Sequence, residues 1–278
     1  MIATHPDCYR HPGRETGVSC NRCDRPVCPE CRVDAAVGFQ CRECVRGGNA
    51  NVRVARTEFG GRLVQDGALV TRTLIVIDLV VYLLAWKVLT PVVVNHLYMW
   101  GYAPPAFGGG VAGGQWYRMV TGMFLHTALW HLGLNVWSLW VFGPPLERAL
   151  GRWRFLAVFL VSGLAGNALQ LLAAPYTPAL GASGAIFGLI GALLVVERRR
   201  MLDLGPLLAI VLVNLVATFT IPDISWEAHI GGLAAGLLLG FGLAYAPPRN
   251  RVLVQVGTVL GVLAAVLVAT VLGVAALT

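Results

Sequence analysis

Gly181-Ala182-Ser183-Gly184-Ala185-Ile186-Phe187-Gly188-Leu189-Ile190-Gly191 opens an apolar run that reaches Val196 and ends on Glu197 and Arg198 to Arg200. Gly184, Gly188 and Gly191 recur at helical spacing, so one face of this helix is nearly bare and a second backbone can approach it. The matching partner is Ala228-His229-Ile230-Gly231-Gly232, continued by Gly236 and Gly240 at four-residue intervals. One run is headed by a hydroxyl, the other by an imidazole. Polar groups at membrane depth are costly, so each needs a reason.

The whole chain agrees with a membrane setting. Its 278 residues are 56% hydrophobic and 13% charged, with a mean hydropathy of +0.69. A water-soluble domain of this size needs more polar surface. The net charge of +7 does not indicate nucleic acid, because after residue 72 the basic residues fall mainly in short clusters between apolar runs. A helix needs about 20 mostly apolar residues to cross the hydrocarbon. Seven runs qualify as predicted spans: 73–94, 125–143, 153–173, 181–197, 205–221, 226–246 and 252–275. Between the first two lies a long loop with Pro104, Pro105 and Gly108 to Gly110.

Arg148, Arg152 and Arg154 follow the second span, Arg198 to Arg200 the fourth, and Arg249 and Arg251 the sixth. Positive-inside reasoning places the N-terminus in the cytoplasm and the C-terminus outside, with a bacterial-type plasma membrane as the expected compartment. No signal peptide is expected, since the first fifty residues are polar and cysteine-rich. On this orientation Ser183, His229 and His131, on spans four, six and two, share one depth near the outer face.

A serine hydroxyl becomes a nucleophile when a neutral imidazole takes its proton. Asp223 and Glu227 are expected in the outer loop or interface, which favours a Ser183–His229 dyad over a triad. Asn135 and His131 are four apart on one helix face and, with the Ser183 N–H, are candidate oxyanion donors; His126 stands five residues earlier. Taken singly, Asn135, His126 and the glycines read as ordinary helix packing, and a lone serine bonds to its own backbone. Their shared depth favours a site.

All seven cysteines precede residue 45. Cys8 with His11, Cys20 with Cys23, Cys28 with Cys31, and Cys41 with Cys44 form four pairs of C-x-x-[CH] type, eight donors for two tetrahedral zinc ions. Disulfides are the weaker reading, because seven is odd and a reducing cytoplasm keeps thiols free. Cross-braced pairing would join Cys8, His11, Cys28 and Cys31 at one ion and Cys20, Cys23, Cys41 and Cys44 at the other; sequential pairing is the alternative. The interleaving resembles B-box-type zinc fingers. His5 is a spare donor, read as solvated. The module is either a folded cap or a surface for a cytoplasmic protein partner. The predicted organisation is a zinc module at 1–50, a basic, glycine-loosened linker at 51–72 containing Arg53, Arg56 and Arg62, a core at 73–246 and a further helix at 247–278.

Gln115-Trp116-Tyr117-Arg118, His126, His131-x-x-x-Asn135, the Glu147 to Gly151 turn, Gly181-x-Ser183-Gly184 and His229-x-x-Gly232-x-x-x-Gly236 occur in one order. That ordered set resembles the rhomboid family of intramembrane serine proteases over about residues 73–246. The resemblance implies an all-α polytopic membrane protein, a six-helix rhomboid core plus a seventh C-terminal helix, preceded by the small zinc-binding domain. It implies Ser183 as nucleophile, His229 as base, His131 and Asn135 on the oxyanion side, Gly181 shaping the site at the backbone, and Gly184, His126 and Phe187 as supporting residues. It also implies a first loop partly in the bilayer and lateral entry past span five of single-span membrane substrates, cut near the outer leaflet at a small residue. No cofactor is expected for catalysis. Phe187 stands where members often carry tyrosine, and is expected to pack on His229 without donating a hydroxyl bond. An inactive rhomboid-like binding protein is the main rival. A proton transporter using His126, His131 and His229 ranks lower, and Asp78 and Lys87 are placed nearer the two interfaces of span one.

Overall fold

The computed structural model describes residues 5–50, 55–63, 66–221 and 224–278. It divides into two compact units, Met1–Val54 and Ala55–Thr278. Arg53 and Asp223, both named above, lie outside the described residues.

In the first unit β1 (Asp7–Cys8) pairs antiparallel with β2 (His11–Glu15), and β3 (Arg32–Asp34) with β4 (Phe39–Cys41). Helix α1 (Arg42–Ala50) follows. Five cysteines are buried here, and Val27 is the one aliphatic side chain buried with them among the described residues. So small an apolar core cannot hold a fold by itself.

The second unit is an all-α polytopic membrane domain. Its helices are α2 (Leu69–Lys87), α3 (Pro91–Leu97), α4 (Arg118–Thr121), α5 (Leu129–Leu150), α6 (Arg152–Ala173), α7 (Ser183–Arg199), α8 (Gly205–Thr220), α9 (Trp226–Ala244) and α10 (Arg251–Ala275). Among the described residues, four stretches are long and apolar enough to cross a membrane: Leu69–Lys87, Arg152–Ala173, Trp226–Ala244 and Pro248–Ala275. Helix α8 is apolar but shorter.

Two of the seven expected spans have different bounds. The first stops at Lys87 rather than 94, because Thr90 and Pro91 begin a new helix. Thr90 caps it by accepting from the Val93 N–H, and Pro91 sits in the first turn where its missing N–H costs nothing. The second runs to Leu150, through Pro144 and Pro145. Membrane helices tolerate proline because neighbours satisfy the freed carbonyls. Asp78 is also differently placed. It lies midway along α2, fully buried, and neither carboxyl oxygen has a partner among the described residues. Lys87 ends the helix with its ammonium 3.7 Å from the Trp86 ring centroid.

Residues 55–63, expected to be loose linker, fold against the helices. Phe59 is buried in the main core, its carbonyl accepts from Gln255 Nε2 at 3.0 Å, and Glu58 pairs with Arg200 at 2.8 Å. Gln255 on α10 also donates to the Leu243 carbonyl at 2.9 Å and accepts from Arg154 Nε at 2.7 Å. The seventh helix is thereby tied to α9 and α6.

At the start of α2 no local side chain caps the free N–H groups. Glu147, 1% exposed on α5, supplies the acceptors instead. Its carboxyl takes hydrogen bonds from the Val70 and Thr71 N–H groups at 2.9 and 2.8 Å and from the Thr71 hydroxyl at 2.8 Å. Removing it strands three donors, two of them on the fully buried Thr71. Glu147→Ala is expected to destabilise the helical unit by about 2–4 kcal/mol, read as a lowered Tm in detergent. An unchanged Tm would contradict this capping role.

Helices α7 and α9 form the centre. A Cβ added at Gly191 would lie 2.8 Å from the Leu233 carbonyl oxygen, and one at Gly240 would lie 2.8 Å from the Ala192 Cα. Side chains at Gly232 and Gly236 would overlap the Gly184 and Gly188 carbonyls outright. The two backbones therefore touch along their length, which only glycine permits.

Candidate active site and metal centres

The first residue of α7 is Ser183, half-buried. His229 is in the first turn of α9, 7% exposed, and His131 in the first turn of α5. All three thus stand at helix N-termini. The glycine faces set α7 against α9 so that a Cβ at Gly184 would be 3.0 Å from the Ala228 carbonyl oxygen. These are the residues next to Ser183 and His229. One turn beyond Ser183 on the same face, the Phe187 ring stacks on the His229 imidazole, with centroids 4.2 Å apart and planes 15° apart. The imidazole is therefore held flat beside the serine's helix face.

The other side of the imidazole was not legible in sequence. His229 Nδ1 lies 2.7 Å from Thr218 Oγ1 on α8, and Thr218 is 3% exposed. No carboxylate bonds to His229 among the described residues. Glu227, expected in the outer loop or interface, is the second residue of α9 and is buried, with the Ser225 hydroxyl 3.5 Å from its carboxylate.

Gly181 has φ +106°, a left-handed conformation that disfavours any Cβ. Its N–H donates to the Gly122 carbonyl at 2.9 Å. An added Cβ would lie 2.7 and 2.8 Å from Cε1 and Nε2 of His131 and 3.7 Å from His126 Nε2. The two histidine rings meet edge-on at 5.2 Å. His126 is fully buried, with Nδ1 3.3 Å from the Phe124 carbonyl and Nε2 unpartnered among the described residues. Asn135 uses one amide hydrogen on the His131 carbonyl at 2.9 Å and leaves its buried Oδ1 without a partner. The second amide hydrogen is free of its own helix.

Gly181→Ala is expected to cost at least about tenfold in turnover, by straining the backbone and pushing His131 aside, since displacements near 1 Å can cost about 10²-fold. Retained turnover would show that the backbone here tolerates a side chain.

The first loop is stitched to this region. Met99 and Ala179 exchange backbone hydrogen bonds of 3.0 and 2.8 Å. Arg118, fully buried, donates to the Asn95, Tyr98 and Phe107 carbonyls at 2.8–2.9 Å and to the Gln115 side chain at 2.8 Å. Trp116 and Tyr117 remain exposed. The arginine, not an aromatic ring, anchors the loop that frames Gly181.

In the first unit the eight expected donors gather into two sets. Cys8, His11, Cys28 and Cys31 form one, and Cys20, Cys23, Cys41 and Cys44 the other, with donor atoms in each set within 4.8 Å of one another. This is the cross-braced grouping rather than the sequential one. All seven cysteines are free. His5 belongs to neither set. His11 Nδ1 lies 3.8, 3.4 and 3.4 Å from the sulfurs of Cys8, Cys28 and Cys31, and the Cys23 and Cys41 sulfurs are 3.7 Å apart. A tetrahedral ion with bonds of ~2.3 Å to sulfur and ~2.0–2.1 Å to nitrogen has sulfur–sulfur edges of ~3.8 Å and sulfur–nitrogen edges of ~3.6 Å. Both sets therefore fit a four-coordinate metal ion.

Their electrostatics point the same way. Burial opposes ionisation of Cys20, yet backbone N–H groups of Cys41, Arg22 and Cys23 outweigh it and hold the thiol down at about 6. Cys44, in the same set, is pushed up to about 12 by Cys41 and Cys23 and by burial. Burial and then Cys28 and Cys8 raise Cys31 to about 11 in the other set. The first thiolate makes the next expensive, and a bound dication would relieve that repulsion.

A polytopic helical membrane domain with a serine and a histidine at adjoining helix ends defines a narrow class, and comparison with known proteins agrees. Residues 113–246 match the Rhomboid domain model. Over 138 residues the chain is 38% identical to "Rhomboid protease GluP" of Bacillus subtilis (strain 168), covering 48% of this chain and 27% of that protein. Over 153 residues it is 37% identical to "Putative rhomboid protease YdcA" of the same organism, covering 53% of this chain and 77% of that one. "RHOMBOID-like protein 6, mitochondrial" of Arabidopsis thaliana is 35% identical over 144 residues, 49% of this chain and 47% of its own length. The chain belongs to the rhomboid family. It spans about a quarter of GluP and about half of the Arabidopsis relative, and the matched domain lies wholly within the second unit.

Proposed function

We propose that this protein is an intramembrane serine endopeptidase that cleaves single-span membrane proteins near the outer leaflet. Ser183 is the nucleophile and His229 its base. The observation that carries this reading is the stacking of His229 on Phe187, one helical turn from Ser183. It puts the imidazole against the face of the helix that the half-buried Ser183 heads, where the two helices join tightly. Kinship with named rhomboid proteases supports the same chemistry.

In the proposed reaction His229 takes the Ser183 Oγ proton as Oγ attacks the scissile carbonyl. The resulting oxyanion receives the Ser183 N–H, the free Asn135 amide hydrogen and the His131 ring N–H. Collapse breaks the C–N bond, and the histidinium protonates the departing amine. Water then repeats the sequence on the acyl-enzyme and releases Ser183. Basic residues at the opposite helix ends, Arg148, Arg198 to Arg200 and Arg249, support a cytoplasmic N-terminus and a site opening outward.

The N-terminal unit binds two zinc ions, for which its thiolate-rich four-donor sets are suited. It is a metal-folded accessory domain, and the ions supply structure, not catalysis.

The test is reconstitution in vesicles with a single-span reporter, comparing wild type with Ser183→Ala. Equal cleavage by both would overturn the protease reading.

A further inference from the structure

The proposed dyad leaves one question open: what fixes the proton on His229? A base toward Ser183 must present a bare nitrogen, and an imidazole does so only if its proton is kept on the other nitrogen. The answer lies on a third helix. Thr218 Oγ1 is 2.7 Å from His229 Nδ1 and also 2.7 Å from the Asn214 carbonyl oxygen. A hydroxyl has one proton to give. The Asn214 carbonyl can only accept, so that proton goes to it. Toward His229 the hydroxyl oxygen is then an acceptor, and Nδ1 must carry the hydrogen.

The geometry points to Thr218 as a positioning residue that locks His229 in the Nδ1–H tautomer and so leaves Nε2 bare for the Ser183 proton. This rests on the protease reading above and deepens it. A threonine in an apolar helix ordinarily bonds back to the carbonyl four residues earlier, and nothing more. Here that habit is what orients the second contact. Phe187 fixes the plane of the ring, and Thr218 fixes its rotation within the plane and its proton. When Nε2 takes the serine proton, Nδ1–H stays where it is and the same hydrogen bond holds the imidazolium. Thr218 thus occupies the place a carboxylate fills in a triad, without a charge. Helix α8 is lightly packed, with Leu207, Val211 and Thr218 its buried residues. The hydroxyl is therefore the polar tie between α8 and the base.

The test compares the reconstituted full chain with Thr218→Val, which keeps the shape and removes the hydroxyl, and with Thr218→Ser, which restores it. Thr218→Val is expected to lower kcat by about ten- to a hundredfold with KM within about twofold, a part of the ~10²–10⁴-fold that a positioned base contributes. Labelling of Ser183 by a serine-directed phosphonate should slow by a similar factor. Thr218→Ser should recover most of both; Thr218→Val, which strands the buried Nδ1–H, should lower the detergent Tm modestly, and Thr218→Ser should restore it. Wild-type kcat in Thr218→Val, a raised KM with kcat unchanged, or equal losses in the two variants would overturn the inference. Ser183→Ala serves as the control: if it still cleaves, the protease reading fails, whereas if it is dead and Thr218→Val is fully active, only the role of Thr218 fails.

Discussion

Ser183→Ala reduces reporter cleavage by about 10⁴-fold or more, and His229→Ala alone does nearly the same. The double variant is no worse than either single one by more than about threefold, because a nucleophile and its base act as one unit. Structure argues that the serine variant loses chemistry and not fold. Among the described residues the Ser183 side chain holds no hydrogen bond, and α7 begins without a side-chain cap. Alanine in the first turn of a helix costs nothing in propensity. His229→Ala is less innocent, since it opens a space beside Phe187 and removes the partner of Thr218. Tm values in detergent separate the two cases. A Ser183→Ala protein that melts normally yet cleaves at even a tenth of the wild-type rate would remove Ser183 from the mechanism.

Stripping metal with a chelator is expected to unfold residues 5–50 while the helical unit keeps its secondary structure. Structural zinc sites contribute apparent binding energies of about 10–16 kcal/mol, far more than one buried valine can replace. Hydrogen exchange resolved by segment reads the result: protection lost across β1 to β4, unchanged across α5, α6, α7 and α9. Metal analysis before stripping should give about two ions per chain, and Cys20→Ser should lower that to about one. A preparation with no bound metal and full protection in the first unit would refute the metal-folded domain.

Parts of this molecule were plain in the sequence because one residue type does one job. The C-x-x-C spacings announce paired donors whatever the backbone does between them, though the choice between cross-braced and sequential grouping needed the strands β1 to β4 in place. Glycines at four-residue intervals announced the α7–α9 contact because no other residue permits it. Span ends were less legible. Hydropathy continues past Lys87, and only the Thr90–Pro91 cap reveals that the helix has ended and another begun. At Pro144 and Pro145 the opposite error arises, since proline breaks helices in water more readily than in a packed membrane domain. The nine-residue separation from Lys87 points Asp78 toward an interface, yet it lies buried midway along α2. Thr218 gave no signal at all. Its importance comes from a contact with a residue on another helix, and a threonine in an apolar run has no periodicity to betray that.

The main-chain joint between α7 and α9 has a consequence for how this protein can change over time. Side chains at an ordinary interface can be exchanged in compensating pairs, one growing as the other shrinks. A seam in which Gly232 and Gly236 meet the carbonyls of Gly184 and Gly188 offers nothing to exchange. Substitution there has no second-site remedy on the facing helix, because the facing group is the peptide itself. Variation within the helical unit is accordingly channelled outward, to the largely exposed α2 and α10 and to the lightly packed α8, while the seam joining the helices that carry Ser183 and His229 is left without neighbouring solutions to drift into.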